Sequence, residues 1–340
     1  MRRRMNKVMA AMLIGAMTAS LALTGCGGKK SASKDGKKEL TVWAWDVALM
    51  QLEEAAEEYQ KDHPDVTFKF EEMGTDQIYK KLSTSLATGN GIADIIAIEG
   101  DVLVGYADKF PEGFLDVSDA INTDDFLASK IGEVSYKDKI HAFPWDAGPA
   151  AMFYRTDYFE QAGVNPEDIQ TWDDLIEAGK KIEASCKTPS GDPVKMIPVD
   201  PKKSSLYSMI RGEYSVSNGG SDLAINAKTD YPDEAKDFVK FAMTDTKLQA
   251  SGFEKYGLYP SYIPSYEEEI FQKGDSFFGD TNIYEIFIEN GKNVAEIPIS
   301  PNAQEAGDSI GAAVSKIFLN GADVKSTMKD LEDELTTKFK

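Results

Sequence analysis

The residues best suited to chemistry in this chain stand together in Trp43-Ala44-Trp45-Asp46. An indole offers a flat apolar face and one N–H donor, and a carboxylate accepts hydrogen bonds. Side by side they suit a polyhydroxylated ligand, whose C–H faces stack on rings and whose hydroxyls bond to oxygens. Position strengthens the reading. Leu40 to Trp45 is rich in β-branched and aromatic residues and is expected to form a strand. In an open α/β sheet, ligands bind beyond the carboxyl ends of the strands, which is where Trp45 and Asp46 would stand. Alternation puts Trp43 and Trp45 on one face of the sheet, so at least one is expected in the core.

Similar chemistry recurs along the chain. The apolar run Asp94-Ile95-Ile96-Ala97-Ile98-Glu99 reads as a buried parallel strand, and Asp101 arrives at its carboxyl end, as a ligand contact, a helix N-cap, or both. Trp145-Asp146 lies between Pro144 and Pro149, in a breaker-rich segment expected to be an inter-domain crossover. Trp145 is a second stacking candidate or packing at that hinge, and Asp146 a second acid. Gly219-Gly220 precedes the strand Asp222 to Ile225, either as a second crossover whose backbone approaches the ligand or as a plain turn. Tyr259 stands in the loop Gly257 to Ser261, and Gln77 is a weaker polar candidate. With two histidines and no Cys/His cluster, neither a metal site nor a cofactor is expected.

The elements that must position these groups follow from periodicity. Val47 to Lys61 and Gln77 to Leu86 read as amphipathic helices, and Val66 to Phe70 as an alternating strand. Strand, helix, strand, helix, strand over this span means a parallel α/β sheet. Tyr136 to Pro144 reads as a turn and a short strand, and Ala150 to Tyr154 as a further strand. Thr171 and Asp174 form a capping box for a helix from Trp172 to Ile182, and Trp172 reads as structural. Ser205 to Ile210 has room for one or two helical turns. Pro232 opens a helix over Asp233 to Met243, and Thr244 to Gly252 reads as another, ended by its glycine. Ser265 to Glu269 is expected to cap a further helix, and Ala303 to Leu319 and Asp323 to Phe339 are amphipathic.

The chain opens with Arg2, Arg3, Arg4 and Lys7, followed by an uncharged run from Val8 to Leu23. That run suits the core of a secretory signal peptide better than a membrane span. It ends at Leu23-Thr24-Gly25-Cys26, which resembles a bacterial lipobox with Cys26 as the lipidated residue. Lipid chains there would anchor the chain without a spanning helix. Cleavage after residue 25 removes four positive charges and no acidic ones, taking the formal charge from −20 to −24. So acidic a chain has no electrostatic reason to bind nucleic acid or an anionic membrane surface. Cys186 is then left alone, so no intrachain disulfide is expected.

Several of these segments, in this order, resemble the family 1 extracellular solute-binding proteins, sugar-capturing lipoproteins of bacterial ABC importers related to maltose-binding protein. They are the lipobox, the strand Leu40 to Trp45, Asp94-Ile95-Ile96 with Asp101, Tyr136 to Pro144, Phe153 to Gly163, Thr171-Trp172-Asp173-Asp174-Leu175, Gly219-Gly220, Gly257-Leu258-Tyr259-Pro260 and Ser265 to Glu269. The chain departs from the pattern at Arg155, at Trp145, and in the few residues around Ile210-Arg211-Gly212, where relatives carry more helix and another strand. The resemblance implies an α/β, two-lobe, periplasmic-binding-protein-like fold with discontinuous lobes, a hinge and a shortened second lobe. Residues 1–25 would be the signal peptide and 26–39 a flexible tether. Residues 40–145 with 222–266 would form the first lobe, and 146–221 with 267–340 the second. It further implies a monomer that takes a sugar between its lobes, delivers it to the permease subunits outside the cell, and meets the membrane only through its lipid. Trp45, Trp145 and Tyr259 would stack on the sugar, and Asp46, Asp101, Asp146, Gln77 and the backbone of Gly219 and Gly220 would bond its hydroxyls. The alternatives are a polyamine or peptide binder on the same fold and, more remotely, a hydrolase using two of the carboxylates.

Overall fold

The structure is a computed structural model, and it describes residues 36–196, 219–274, 276–279, 281–294 and 299–340. Cys26, most of the expected tether, and the segment around Ile210 to Gly212 lie outside the described residues.

The core is one five-stranded sheet in the order β2-β1-β3-β7-β6. Its strands are β1 (Lys38–Ala44), β2 (Val66–Glu72), β3 (Ile95–Ile98), β6 (Ala142–Pro144) and β7 (Asp222–Ile225). The first three pair in parallel, as their helical crossovers require. β7 runs antiparallel to both β3 and β6, so the sheet is mixed rather than wholly parallel. The short strands β4 (Ser135–Tyr136) and β5 (Lys139–Ile140) form a separate hairpin before β6.

Helices α1 (Asp46–Tyr59), α2 (Thr75–Thr88), α3 (Gly100–Lys109), α4 (Ala128–Val134), α7 (Pro232–Thr244) and α8 (Thr246–Tyr256) belong to this part of the molecule. α1 buries Ala48, Leu52, Ala55, Ala56 and Tyr59, the stripe its spacing dictates, and α7 buries Phe238, Val239 and Ala242. Asp94 ties the sheet together at the end away from the strand tips. Its carboxylate accepts from the Thr41 amide (2.8 Å), the Thr41 hydroxyl (2.6 Å) and the Thr229 hydroxyl (2.7 Å).

Two smaller apolar clusters accompany this core. One gathers Leu127, Ala147, Ala250, Tyr259, Tyr266 and Phe271, with Tyr284, Phe287 and Ile288 from α9 (Ile283–Asn293) against it. The other is Phe159, Ile182, Cys186 and Val194, beneath α5 (Thr156–Ala162) and α6 (Trp172–Ser185). α6 opens on the expected capping box between Thr171 and Asp174. The C-terminal helices α10 (Ala303–Asn320) and α11 (Val324–Lys338) pack on each other, and α10 also meets α3.

Three expectations are corrected. Residues 150–154 do not form a strand: among the described residues none pairs with them, and Met152, Phe153 and Tyr154 are exposed. Apolar composition alone cannot make a strand, because pairing needs a neighbour. α8 runs through Gly252 and ends at Gly257, whose left-handed backbone (φ 75°) caps it. Gly252 serves packing instead, since a Cβ there would meet the side-chain amide of Gln51. Ser265 does not start an α-helix; it lies within a single 3₁₀ turn, Ile263–Glu267.

Candidate functional site at the strand tips

The sheet gathers its chemistry at one end. β1, β2 and β3 finish there at Ala44, Glu72 and Ile98. β7 runs the other way, so it starts there at Asp222, which pairs with both Ile98 and Pro144. The segments that leave or enter this end carry Trp45-Asp46, Glu99-Asp101, Trp145-Asp146 and Gly219-Gly220. Gln77 stands exposed in the first turn of α2, the helix that follows β2.

Trp45 and Asp46 are the accessible pair. Trp43 is 2% exposed, with its indole N–H donating to Glu71 Oε2 (3.1 Å) and Lys81 Nζ 4.1 Å over its ring. Trp45, on the same face but beyond the strand, is half-buried and rests against the core. Asp46 is exposed and opens α1 in a left-handed backbone conformation (φ 45°). Non-glycine residues seldom sit there, and such strain collects at binding sites.

Asp101 sits in the first turn of α3, whose N-cap is Glu99, so both carboxylates face the positive end of that helix. Glu99 is fixed by Tyr79, whose hydroxyl donates to Glu99 Oε2 (2.7 Å) and accepts from the Glu99 amide (3.2 Å). Tyr106 in turn donates to the Tyr79 carbonyl (2.9 Å). Asp101 is exposed to water at the start of α3. Desolvation there, then the charges of Glu99 and Glu133, raise its carboxyl above the ordinary value.

The other expected contacts have different surroundings. Trp145 is 1% exposed, and its N–H donates to Gln51 Oε1 (3.0 Å), so it is core and presents no ring face to a ligand. Tyr259 is 4% exposed, packed edge-on to Phe253 and Phe287, and likewise offers no free face. Asp146 and the glycines hold the segment after β6 and the segment before β7 to each other. Asp146 Oδ1 accepts from the Ser221 amide (2.7 Å), and the Trp145 amide donates to the Ser221 carbonyl (3.1 Å). Gly220 has a φ of 119°, and a Cβ there would fall 2.4 Å from the Asp146 carbonyl oxygen. Only glycine permits that approach; its close neighbour is the backbone of Asp146 and Ala147. The segment 145–147 is also bonded to 259–261, through Ala147 N to Tyr259 O and Ser261 N to Trp145 O, both 2.8 Å.

Sequence reasoning did not single out Gln51, Tyr79, Glu99, Lys130 or Glu133. Glu99 was visible as the last residue of its strand. Lys130 carried no signal beyond a glutamate three residues on, the pattern of an ordinary solvated helix face.

Comparison with known proteins now bears on this geometry. Residues 50–200 match the model of the family described as bacterial extracellular solute-binding protein. Over that span the chain is similar to the bacterial extracellular solute-binding proteins. Among curated members of similar sequence, a lactose-binding protein of Rhizobium radiobacter is 39% identical over 154 residues, 43% of this chain and 36% of that one. An arabinooligosaccharide-binding protein of Bacillus subtilis is 31% identical over 192 residues, 55% of this chain and 44% of that one. The matches thus span less than half the length of these curated relatives. In fold, a family 1 extracellular solute-binding protein superposes with a TM-score of 0.73 at 18% identity, covering 88% of this chain and 99% of the other. Maltose-bound MalE3 of T. maritima gives 0.66 at 17%, with the same coverage. The α/β two-lobe fold is therefore that of the solute-binding proteins.

Proposed function

We propose that this chain is the extracytoplasmic binding component of an ABC importer, taking a sugar or oligosaccharide between two lobes and handing it to the permease. The observation that carries the reading is the strand tip itself. A half-buried Trp45 stands beside an exposed Asp46 held in a left-handed backbone, at the same sheet end as Asp101. Ring face and acceptor oxygens are the two contacts a sugar needs. Relatives named for lactose and arabinooligosaccharides support the class, as do fold neighbours whose structures hold maltose and β-1,6-galactobiose. Gln77 would add a polar contact, whereas Trp145, Asp146, Gly219, Gly220 and Tyr259 would act through the crossovers. The lobes are taken as 40–145 with 222–266 and 146–221 with 267–340. The lipid anchor at Cys26 completes the proposal; no described helix is long and apolar enough to cross a membrane.

The test is a fluorescence titration of the mature chain with lactose, arabino-oligosaccharides and maltose, beside a Trp45→Ala variant. Saturable quenching or enhancement by at least one sugar, lost in the variant, is expected. Undiminished binding by Trp45→Ala would overturn the site assignment.

A specific observation favours a second reading. Asp46, Glu72, Glu99, Asp101 and Glu133 bring five carboxylates to or near this one sheet end. Such an acid-rich edge suits a polyamine, so spermidine belongs in the same panel.

A further inference from the structure

Beneath the two crossovers lies a buried lysine. Lys130, on α4, has no solvent exposure. Its ammonium is 2.6 Å from Glu133 Oε2 and 3.0 Å from Asp222 Oδ1. Asp222 is fully buried at the start of β7, and among the described residues its oxygens meet no donor other than this ammonium. Lys130 Nζ also lies 3.2 Å from where a Cβ on Gly220 would project, alongside the Asp146 carbonyl. One cation therefore touches the second crossover at Gly220 and Asp222 and sits against the first at Asp146.

The charges at this junction do not balance. Glu133, Asp146 and Asp222 surround a single ammonium, and leaving unmatched charge in a low-dielectric site is costly. Burial, opposed by Lys130 and reinforced by Glu133, pushes the Asp222 carboxyl up to about 7. Burial likewise raises Asp146. Among the described residues, the neighbouring elements bring no second cation to this junction. At this end α3 brings Asp101 behind Glu99, while its Asp108 and Lys109 lie at its far end; β6 has no titratable group; on α7 Glu234 pairs with Lys38, Asp237 with Tyr59 and Lys236 with Asp119, and Asp233 and Lys240 are exposed.

We propose that Lys130 is a positioning residue for ligand capture: its ammonium fixes both crossovers to the first lobe, and proton uptake by the carboxylates around it tightens that junction. The proposal rests on the reading of the molecule as a two-lobe binder. The sign follows from linkage. The packed junction holds a proton up to about pH 7, whereas an Asp222 released to water holds one only to about pH 4. Acid therefore favours the packed junction. Between pH 8 and pH 6 the ratio of loosened to packed molecules falls about tenfold.

The experiment needs no ligand, so it stands apart from the sugar assignment. Spin labels on Glu57→Cys and Ala184→Cys, in a Cys26→Ser chain, report the distance between the lobes by pulsed electron resonance at pH 8 and pH 6. The broad component is expected to shrink at pH 6 in the otherwise unaltered chain. Asp222→Asn should give the acid distribution at both values, and Lys130→Met a broader distribution than the unaltered chain at pH 8 that still narrows at pH 6. Should Lys130→Met fail to fold, the Asp222→Asn comparison decides. Identical distributions at the two pH values in the unaltered chain, or an Asp222→Asn chain that keeps the full pH response, would overturn the proposal.

Discussion

Replacing Gly220 by alanine tests how the segments after β6 and before β7 are held together. The added Cβ would lie 2.4 Å from the Asp146 carbonyl oxygen, 3.2 Å from Ala147 Cα and 3.2 Å from Lys130 Nζ. The first two are backbone atoms, so no side chain can swing away to make room. A φ of 119° adds strain of about 1–3 kcal/mol for a residue with a Cβ. The overpacking adds about 1–3 kcal/mol more. The sum, about 2–6 kcal/mol, corresponds to a fall in Tm of roughly 4–12 °C in a chain this size. Gly219 is the internal control. Its φ is also positive, at 93°, but a Cβ there would meet nothing within 4 Å. Gly219→Ala should therefore cost only the strain, about 1 kcal/mol. Urea and thermal denaturation of both variants give the comparison. If Gly220→Ala were no less stable than Gly219→Ala, the close approach to the Asp146 and Ala147 backbone would not be what that glycine serves.

Other outcomes follow from the same structure. Asp94→Asn places an NH₂ donor where three donors converge and should cost about 2 kcal/mol in urea denaturation, with Thr229→Val costing less. Lys69 and Lys81 hold the Glu71 carboxyl down at about 2. Because its folded pKa is depressed, the stability it contributes is present above about pH 4.5 and lost as pH falls toward 2. A Lys69→Ala, Lys81→Ala double variant should flatten the stability profile over that acid window. Thr171→Ala removes the capping box of α6 and should cost about 1 kcal/mol, read as faster amide exchange in that helix.

What could be read from the sequence was what local pattern determines. The alternation of Leu40 to Trp45 located the strand, and its end located Trp45 and Asp46. Thr171 and Asp174 announced the start of α6, and Pro232 that of α7. Breakers marked the irregular segments after β6 and before β7. What could not be read was which distant groups each residue meets. Trp145 looked like a second stacking face, but Gln51, 94 residues earlier in the chain, accepts its N–H and seals it in the core. Gly219-Gly220 announced close approach without naming Asp146 as the neighbour. Residues 150–154 have the composition of a strand, but pairing is non-local. Lys130 is indistinguishable from a surface lysine until Asp222, 92 positions later, is seen against it. The accessible pair at the strand tip was therefore legible, and the framework that positions it was not.

The central claim is that the strand tip carrying Trp45, Asp46 and Asp101 binds a sugar. Calorimetric titration of the mature chain with lactose, arabino-oligosaccharides, maltose and spermidine tests it most directly. The account predicts saturable one-to-one binding of at least one sugar, recovered chemically intact after release, and no binding by a Trp45→Ala, Asp101→Ala chain. A folded sample that bound none of these sugars, or bound spermidine alone, would contradict it.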